Sequence, residues 1–188
     1  MNLHSAVGYV WEALGVIWLI GLPFTKRAKR LQSRTSRLFQ LALFASALSL
    51  VGFDWFRRGW LGTAFRPPSY SYQVVGLALT IVGCLFAIWA RLILGGNWSA
   101  QATLKDQHEL IEKGPYSLAR HPIYTGMLLA TAGTTLVFGE WRWVLAQIII
   151  AFALISKMRQ EEKLMMAAFP QAYPMYRLRV KAVIPGLL

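Results

Sequence analysis

The sequence predicts an all-α integral membrane protein of about five transmembrane helices, with a polar loop and a C-terminal helix on its cytoplasmic side. Three observations carry this. The 188-residue chain is 56% apolar and 13% aromatic with only 15% charged residues, and its mean hydropathy of +0.43 is too high for an ordinary soluble domain. Five apolar segments each approach the roughly 20 residues that a helix needs to cross the hydrocarbon core. The charges gather at the segment ends. With no internal repeat or low-complexity tract, residues 1–188 are expected to form one domain, with N-terminal spans in 1–90 and the ligand-binding half in 91–188.

The first segment, near residues 7–23, has no basic region before it, and Lys26, Arg27, Lys29, Arg30, Arg34 and Arg37 follow it. A cleaved signal peptide would carry its charge first, so this order predicts a retained span with its N-terminus outside. The second segment lies near 38–56, and Arg66-Pro67-Pro68 marks an outer loop after it. In the third, near 72–94, Gly76, Thr80, Gly83 and Ala87 recur at three- and four-residue spacing, and Gly126, Ala130 and Gly133 do so from Pro122 to Phe138. Small residues on one face let helix backbones approach closely in lipid, so these two spans are expected to pack tightly. The last segment is read near 141–156. Trp11, Trp18, Trp55, Trp60, Trp141 and Trp143 mostly sit near segment ends, where interfacial anchoring is expected. The single cysteine, Cys84, lies in an apolar run and reads as packing.

The net charge of +12 would suit nucleic acid, but its placement suits a membrane better. The 24–37 loop has six Lys and Arg, the 91–121 loop four (Arg91, Lys105, Lys113, Arg120), and the tail six (Lys157, Arg159, Lys163, Arg177, Arg179, Lys181). The other side has four: Arg57, Arg58, Arg66 and Arg142. Sixteen against four puts the three basic regions on the cytoplasmic face by the positive-inside rule. The basic run KRAKRLQSRTSR then fixes topology and meets anionic headgroups, and no nucleic-acid partner is expected.

Between two apolar segments lies GPYSLARHPIYTG, residues 114–126. Gly114-Pro115 ends whatever precedes it, and Pro122 suits a first helical turn, which puts Arg120 and His121 at a helix mouth. Free N–H groups and the positive dipole end attract anions there, and an arginine fork adds bidentate recognition. Tyr124 and Gly126 follow within a turn. After the last segment come Glu161 and Glu162; adjacent helical residues point about 100° apart, so one can face a ligand while the other pairs with a base.

HELIEKGPYSLARHPIYTG (108–126), the preceding LGGNWS, and EEKLMMAAFPQAYPMYRLRVKAVIP (161–185) together resemble the isoprenylcysteine carboxyl methyltransferases and their phospholipid methyltransferase relatives. The resemblance covers roughly residues 91–185. It implies an all-helical membrane enzyme with a cytoplasmic catalytic loop that uses S-adenosyl-L-methionine without a Rossmann domain, in keeping with the lack of a GxGxxG fingerprint. It implies cofactor contacts at Leu110, Gly114, Pro115, Tyr116, His121, Tyr124, Glu161 and Glu162. Catalytic roles fall to Arg120, Glu162 and Arg179, and acceptor contacts to Asn97, Trp98, Arg120 and Arg177. The implied acceptor is lipophilic and enters from the bilayer. A phospholipid amine or a small thiol is an alternative acceptor. Membrane sterol reductases that use NADPH share the His-Pro and Tyr pattern, and a small transporter or scaffold is the non-enzymatic alternative, for which Glu12 is the one intramembrane candidate. His4, His108 and His121 are far apart in sequence, so no metal is expected.

Overall fold

The structure, a computed structural model, describes residues 2–26, 28–31, 33–67, 69–98, 103–105 and 109–183. Its helices are α1 (Leu3–Ile20), α2 (Arg34–Gly52), α3 (Tyr70–Leu94), α4 (Pro122–Phe138), α5 (Trp141–Ala168) and α6 (Ala172–Arg179). Local chemistry sets several ends. Asn2 accepts from the His4 N–H at the start of α1, and Ser33 accepts from the Ser36 N–H at the start of α2. Pro122 opens α4 at its first position, and Gly139, left-handed at φ 68°, closes it.

The five expected spans are α1 to α5. Four of them are long and apolar enough to cross a membrane, and α4, at 17 residues, is shorter. Its length of about 25 Å covers most of the hydrocarbon core. The polar run from Lys157 to Lys163, read from the sequence as helical beyond the last apolar segment, continues α5 to Ala168. Lys, Gln, Glu, Leu, Met and Ala are all strong helix formers, so loss of hydropathy there is not loss of helix. Pro170 then disfavours helical backbone at Phe169, which caps the helix. The glutamate pair thus rides on a rigid continuation of α5.

The α3–α4 seam is the tightest contact in the fold. A Cβ on Gly83 would lie 2.5 Å from the Ala130 nitrogen, and one on Gly133 would lie 2.5 Å from both the Gly76 oxygen and the Thr80 nitrogen. The stripe read from the sequence therefore packs backbone on backbone, and Gly126 belongs to it, against Gly83 and Ala87. Buried Thr80 donates to Gly76 O at 2.9 Å and reaches Ala130 O at 3.3 Å across the seam. Trp11, expected as an interfacial anchor, turns inward instead and donates from Nε1 to Thr134 Oγ1 at 3.0 Å, tying α1 to α4. Cys84 is buried with Leu14 and Ala130, as a packing residue should be. α2 lies against α5 through Ala47, Leu50 and Ala146, and exposed Leu, Ile, Val and Phe side chains on the helices face outward, as lipid contact requires.

A two-stranded antiparallel ribbon was not foreseen. β1 (Ala28–Leu31) pairs with β2 (Thr103–Lys105), with Leu31 opposite Thr103 and an irregularity between Ala28 and Arg30. Beside it the Lys26 N–H bonds Gly96 O at 2.9 Å. Buried Arg91 donates to Gly21 O at 2.9 Å and Gly95 O at 2.8 Å while lying over the Trp98 ring. These bonds join the two basic loops at one end of the helices, as alternation of the spans demands.

Candidate functional site

At that same end, the turn after α3, the segment before α4, the end of α5, and α6 converge. Gly114 adopts φ 61°, which lets the chain turn into a 3-10 turn over Gly114–Ser117. Ser117 Oγ closes that turn on Gly114 O at 2.7 Å, and the Tyr176 hydroxyl of α6 donates to Tyr116 O. Gly114 packs toward Ile93 and Trp89. Gly114 and Pro115 therefore shape the corner from behind and do not face the cleft.

The helix mouth holds an anion belonging to the chain itself. Arg120 donates through Nε and Nη2 to Glu162 Oε1 at 2.9 and 2.6 Å, and through Nη1 to Val180 O. The Arg120 and His121 N–H groups are taken by Lys181 O and Ala182 O at 2.8 and 2.9 Å, and Thr125 Oγ1 donates to Val183 O at 2.6 Å. The fork and free N–H groups expected to meet a ligand thus meet Glu162 and the C-terminal segment. The physical attraction is the one expected, with an internal partner.

His121 lies between the two glutamates. Its Nδ1 is 3.5 Å from Glu161 Oε2 and its Nε2 is 3.5 Å from Glu162 Oε1. Adjacent helical residues cannot share one partner atom, but an imidazole presents nitrogens on two edges. Burial opposes charge on the His121 ring, and the two carboxylates outweigh that effect, so its pKa is raised above the ordinary 6.5. The ring stacks on Tyr124 with centroids 5.4 Å apart and planes 2° from parallel. Tyr124 donates to Glu161 Oε1 at 2.7 Å, and Lys157 Nζ, one helical turn away on α5, is 3.8 Å from the same oxygen.

The cleft beside this cluster encloses about 120 Å³. Asn97, Trp98, Leu110, Tyr116, Arg120, His121, Tyr124 and Glu161 all line it, whereas Glu162 stands behind His121 and Arg120. The glutamates have therefore divided their work: Glu162 pairs with Arg120, and Glu161 faces the cleft. Arg177 and Arg179 do not line it. Arg177 Nη2 lies 3.6 Å behind, on Glu162, and Arg179 ties exposed to Glu112 at 2.7 Å. Both point away because α6 turns its tyrosine face inward.

That face was not foreseen residue by residue. Tyr173 and Tyr176 line the cleft, with Glu109, Leu164 and Met165. The i,i+3 spacing of the two tyrosines was the available signal. Likewise Lys157 and Glu161 are an i,i+4 pair, with Lys157 buried and its ammonium over the Tyr124 ring. Burial raises the pKa values of Tyr116, Tyr173 and Tyr176, keeping these rings neutral. His108 lies outside the described residues.

Fold and site together define a helical membrane protein with a partly buried Glu–His–Tyr cluster facing an aromatic-walled cleft where α4 begins and α5 ends. The family model of the isoprenylcysteine carboxyl methyltransferase (ICMT) family matches residues 74–167, half of the chain, and the chain belongs to that family. The match contains the 114–126 corner and both glutamates, while α6 lies beyond it.

Among similar proteins, the cobalt-zinc-cadmium resistance protein CzcN of Cupriavidus metallidurans is 32% identical over 130 residues, covering 68% of this chain and 54% of that protein. The protein-S-isoprenylcysteine O-methyltransferase of Saccharomyces cerevisiae is 29% identical over 126 residues, covering 62% and 53%. A probable protein-S-isoprenylcysteine O-methyltransferase of Oryza sativa subsp. japonica is 29% identical over 114 residues, covering 59% and 60%. The aligned part thus spans a little over half the length of these relatives.

Proposed function

We propose that this chain is an S-adenosyl-L-methionine-dependent methyltransferase acting on a lipophilic acceptor, with the carboxylate of an isoprenylcysteine as the favoured one. The observation that carries this reading is Glu161, a carboxylate held by His121 and Tyr124 so that it faces an aromatic-walled cleft. The names of the yeast and rice relatives support the acceptor.

The residues present fit such a cofactor. When bound, it supplies an electrophilic methyl group on a cationic sulfonium. Glu161 offers negative charge to its cationic groups, and Trp98, Tyr116, Tyr173 and Tyr176 offer ring faces suited to a cation or an adenine. A buried polar atom of a cleft residue, Asn97 Oδ1, forms no hydrogen bond among the described residues. Such atoms are costly unless a ligand satisfies them.

The contribution of the chain is positioning. His121 and Tyr124 orient Glu161, and Lys157 balances its charge. Methyl transfer is an in-line displacement, so alignment of donor and acceptor can supply several kcal/mol of the acceleration. A carboxylate acceptor needs no general base. Arg120, the arginine on the cleft wall, would orient it in competition with Glu162. An amine or thiol acceptor would need a base, which Glu161 could supply. By the distribution of Lys and Arg, this end of the bundle is assigned to the cytoplasm and the N-terminus to the outside, with acceptor entry from the bilayer.

The test is calorimetric titration of the detergent-purified protein with S-adenosylmethionine, its demethylated product and NADPH, followed by methyl transfer to an S-farnesylcysteine analogue. Binding of the first two and methylation of the analogue are expected, and Glu161→Gln should lower cofactor affinity by tenfold or more, about 1.4 kcal/mol. Binding of NADPH alone would move the chain to reductase chemistry, and no binding by any of the three would end the enzymatic reading.

A further inference from the structure

At the opposite end of the helices, the loop after α2, the start of α1 and the α4–α5 turn surround a second cavity of about 470 Å³. Its charged lining is three arginines, Arg57, Arg66 and Arg142, against one carboxylate, Glu140. Arg142 is buried. Its Nε donates to Glu140 and its Nη1 to Val51 O at 3.0 Å, and Nη2 has no acceptor among the described residues. Arg57 reaches the same Glu140 at 3.8 Å, with its other partner, Asp54, 89% exposed.

Among the described residues Arg66 has no carboxylate partner. It bonds the carbonyls of Pro67, Leu136 and Val137, lies over the Tyr72 ring, and keeps a buried Nε with no acceptor among the described residues. One glutamate is thus shared by two arginines, while the third meets carbonyls of the last turn of α4. Three guanidinium groups against one carboxylate leave the cavity an excess of positive charge, which favours an anion.

We propose that this cavity binds a phosphate oxyanion, held by Arg57, Arg66 and Arg142 at the membrane face opposite the cleft. Guanidinium forks match phosphate oxygens in bidentate geometry, and Glu140 orients Arg142 by its Nε, leaving the terminal nitrogen for the ligand. The phosphate is either a lipid headgroup or a soluble ion, and both offer the same oxygens. This inference is independent of the methyltransferase reading.

The experiment follows the thermal midpoint of the detergent-purified protein in two titrations at constant ionic strength. One uses inorganic phosphate against chloride, and the other phosphatidylglycerol against a phosphate-free glycolipid. A saturable rise with phosphatidylglycerol alone assigns the site to a headgroup, and one with inorganic phosphate assigns it to a soluble ion. In either case Arg66→Gln is expected to weaken binding by tenfold or more, with S-adenosylmethionine affinity unchanged. Should Arg66→Gln fail to fold, Arg57→Gln, at a 58% exposed side chain, is expected to weaken binding severalfold. No saturable response to either phosphate source in the wild type, or unchanged affinity in the folded variants, overturns the proposal.

Discussion

The α3–α4 seam and the corner where α4, α5 and α6 meet use the same helix, α4, in opposite ways. Along the seam the helix offers Gly126, Ala130 and Gly133, and the backbones of two helices touch with no room for another carbon. At the corner it offers His121 and Tyr124, and side chains span the gap through ion pairs and hydrogen bonds. Dispersion and shape hold the first, where nothing can move without breaking contact. Charges hold the second, and a ligand bringing charges of its own can compete for each of them. A rigid seam thus supports a site whose partners can be exchanged.

The sharpest way to break this contrast is to add volume to the seam. Gly133→Val would push carbon into the Gly76 oxygen and the Thr80 nitrogen, both 2.5 Å from the new Cβ. Backbone atoms cannot swing aside, so loss of monodisperse folded protein is expected in size-exclusion chromatography. Gly8→Ala in α1, where no atom lies within 4 Å, should fold normally.

At the corner, Glu162→Gln leaves the Arg120 guanidinium without its carboxylate, at side-chain exposures of 8% and 14% for Arg120 and Glu162. Breaking one side of a buried pair costs about 3 kcal/mol. Thermal unfolding should show that loss, and the double variant Arg120→Gln with Glu162→Gln should recover part of it. Non-recovery would mean that the Arg120 bonds to the C-terminal segment matter more than the ion pair.

A smaller effect is pH-dependent. The folded pKa of His121 is raised above 6.5 by Glu161 and Glu162, so its charged-state contribution is fully present below pH 6.5 and is lost as pH rises through the folded value. The gap in thermal midpoint between wild type and His121→Gln should shrink across that rise, and a gap that grows instead would contradict the arrangement. Smallest of all, Cys84→Ala removes one sulfur from the packed core and should cost about 1 kcal/mol or less in thermal unfolding.

The seam was legible because small residues at three- and four-residue spacing have one use between apolar helices. The corner was legible in its membership, since Asn97, Trp98, Leu110, Tyr116, Arg120, His121, Tyr124 and Glu161 were all named from their motifs and share one cleft. Its internal pairing was not. A helix mouth and an arginine fork attract an anion, but nothing local states whether that anion is a ligand or Glu162, 42 residues further on. The ribbon of β1 and β2 was hidden for a similar reason: a strand of four residues paired with one of three has no periodicity to read.

The sequence by itself determined the helical membrane fold, the five spans, the close approach of α3 and α4, and the family, because hydropathy, small-residue spacing and motif order are properties of neighbouring residues. Only the tertiary structure decided that Glu161 faces the cleft while Glu162 locks Arg120, that Trp11 turns inward, and that three arginines from separate elements surround one cavity. Those outcomes depend on where side chains distant in sequence meet, and burial makes each such meeting a choice between a satisfied charge and a costly one.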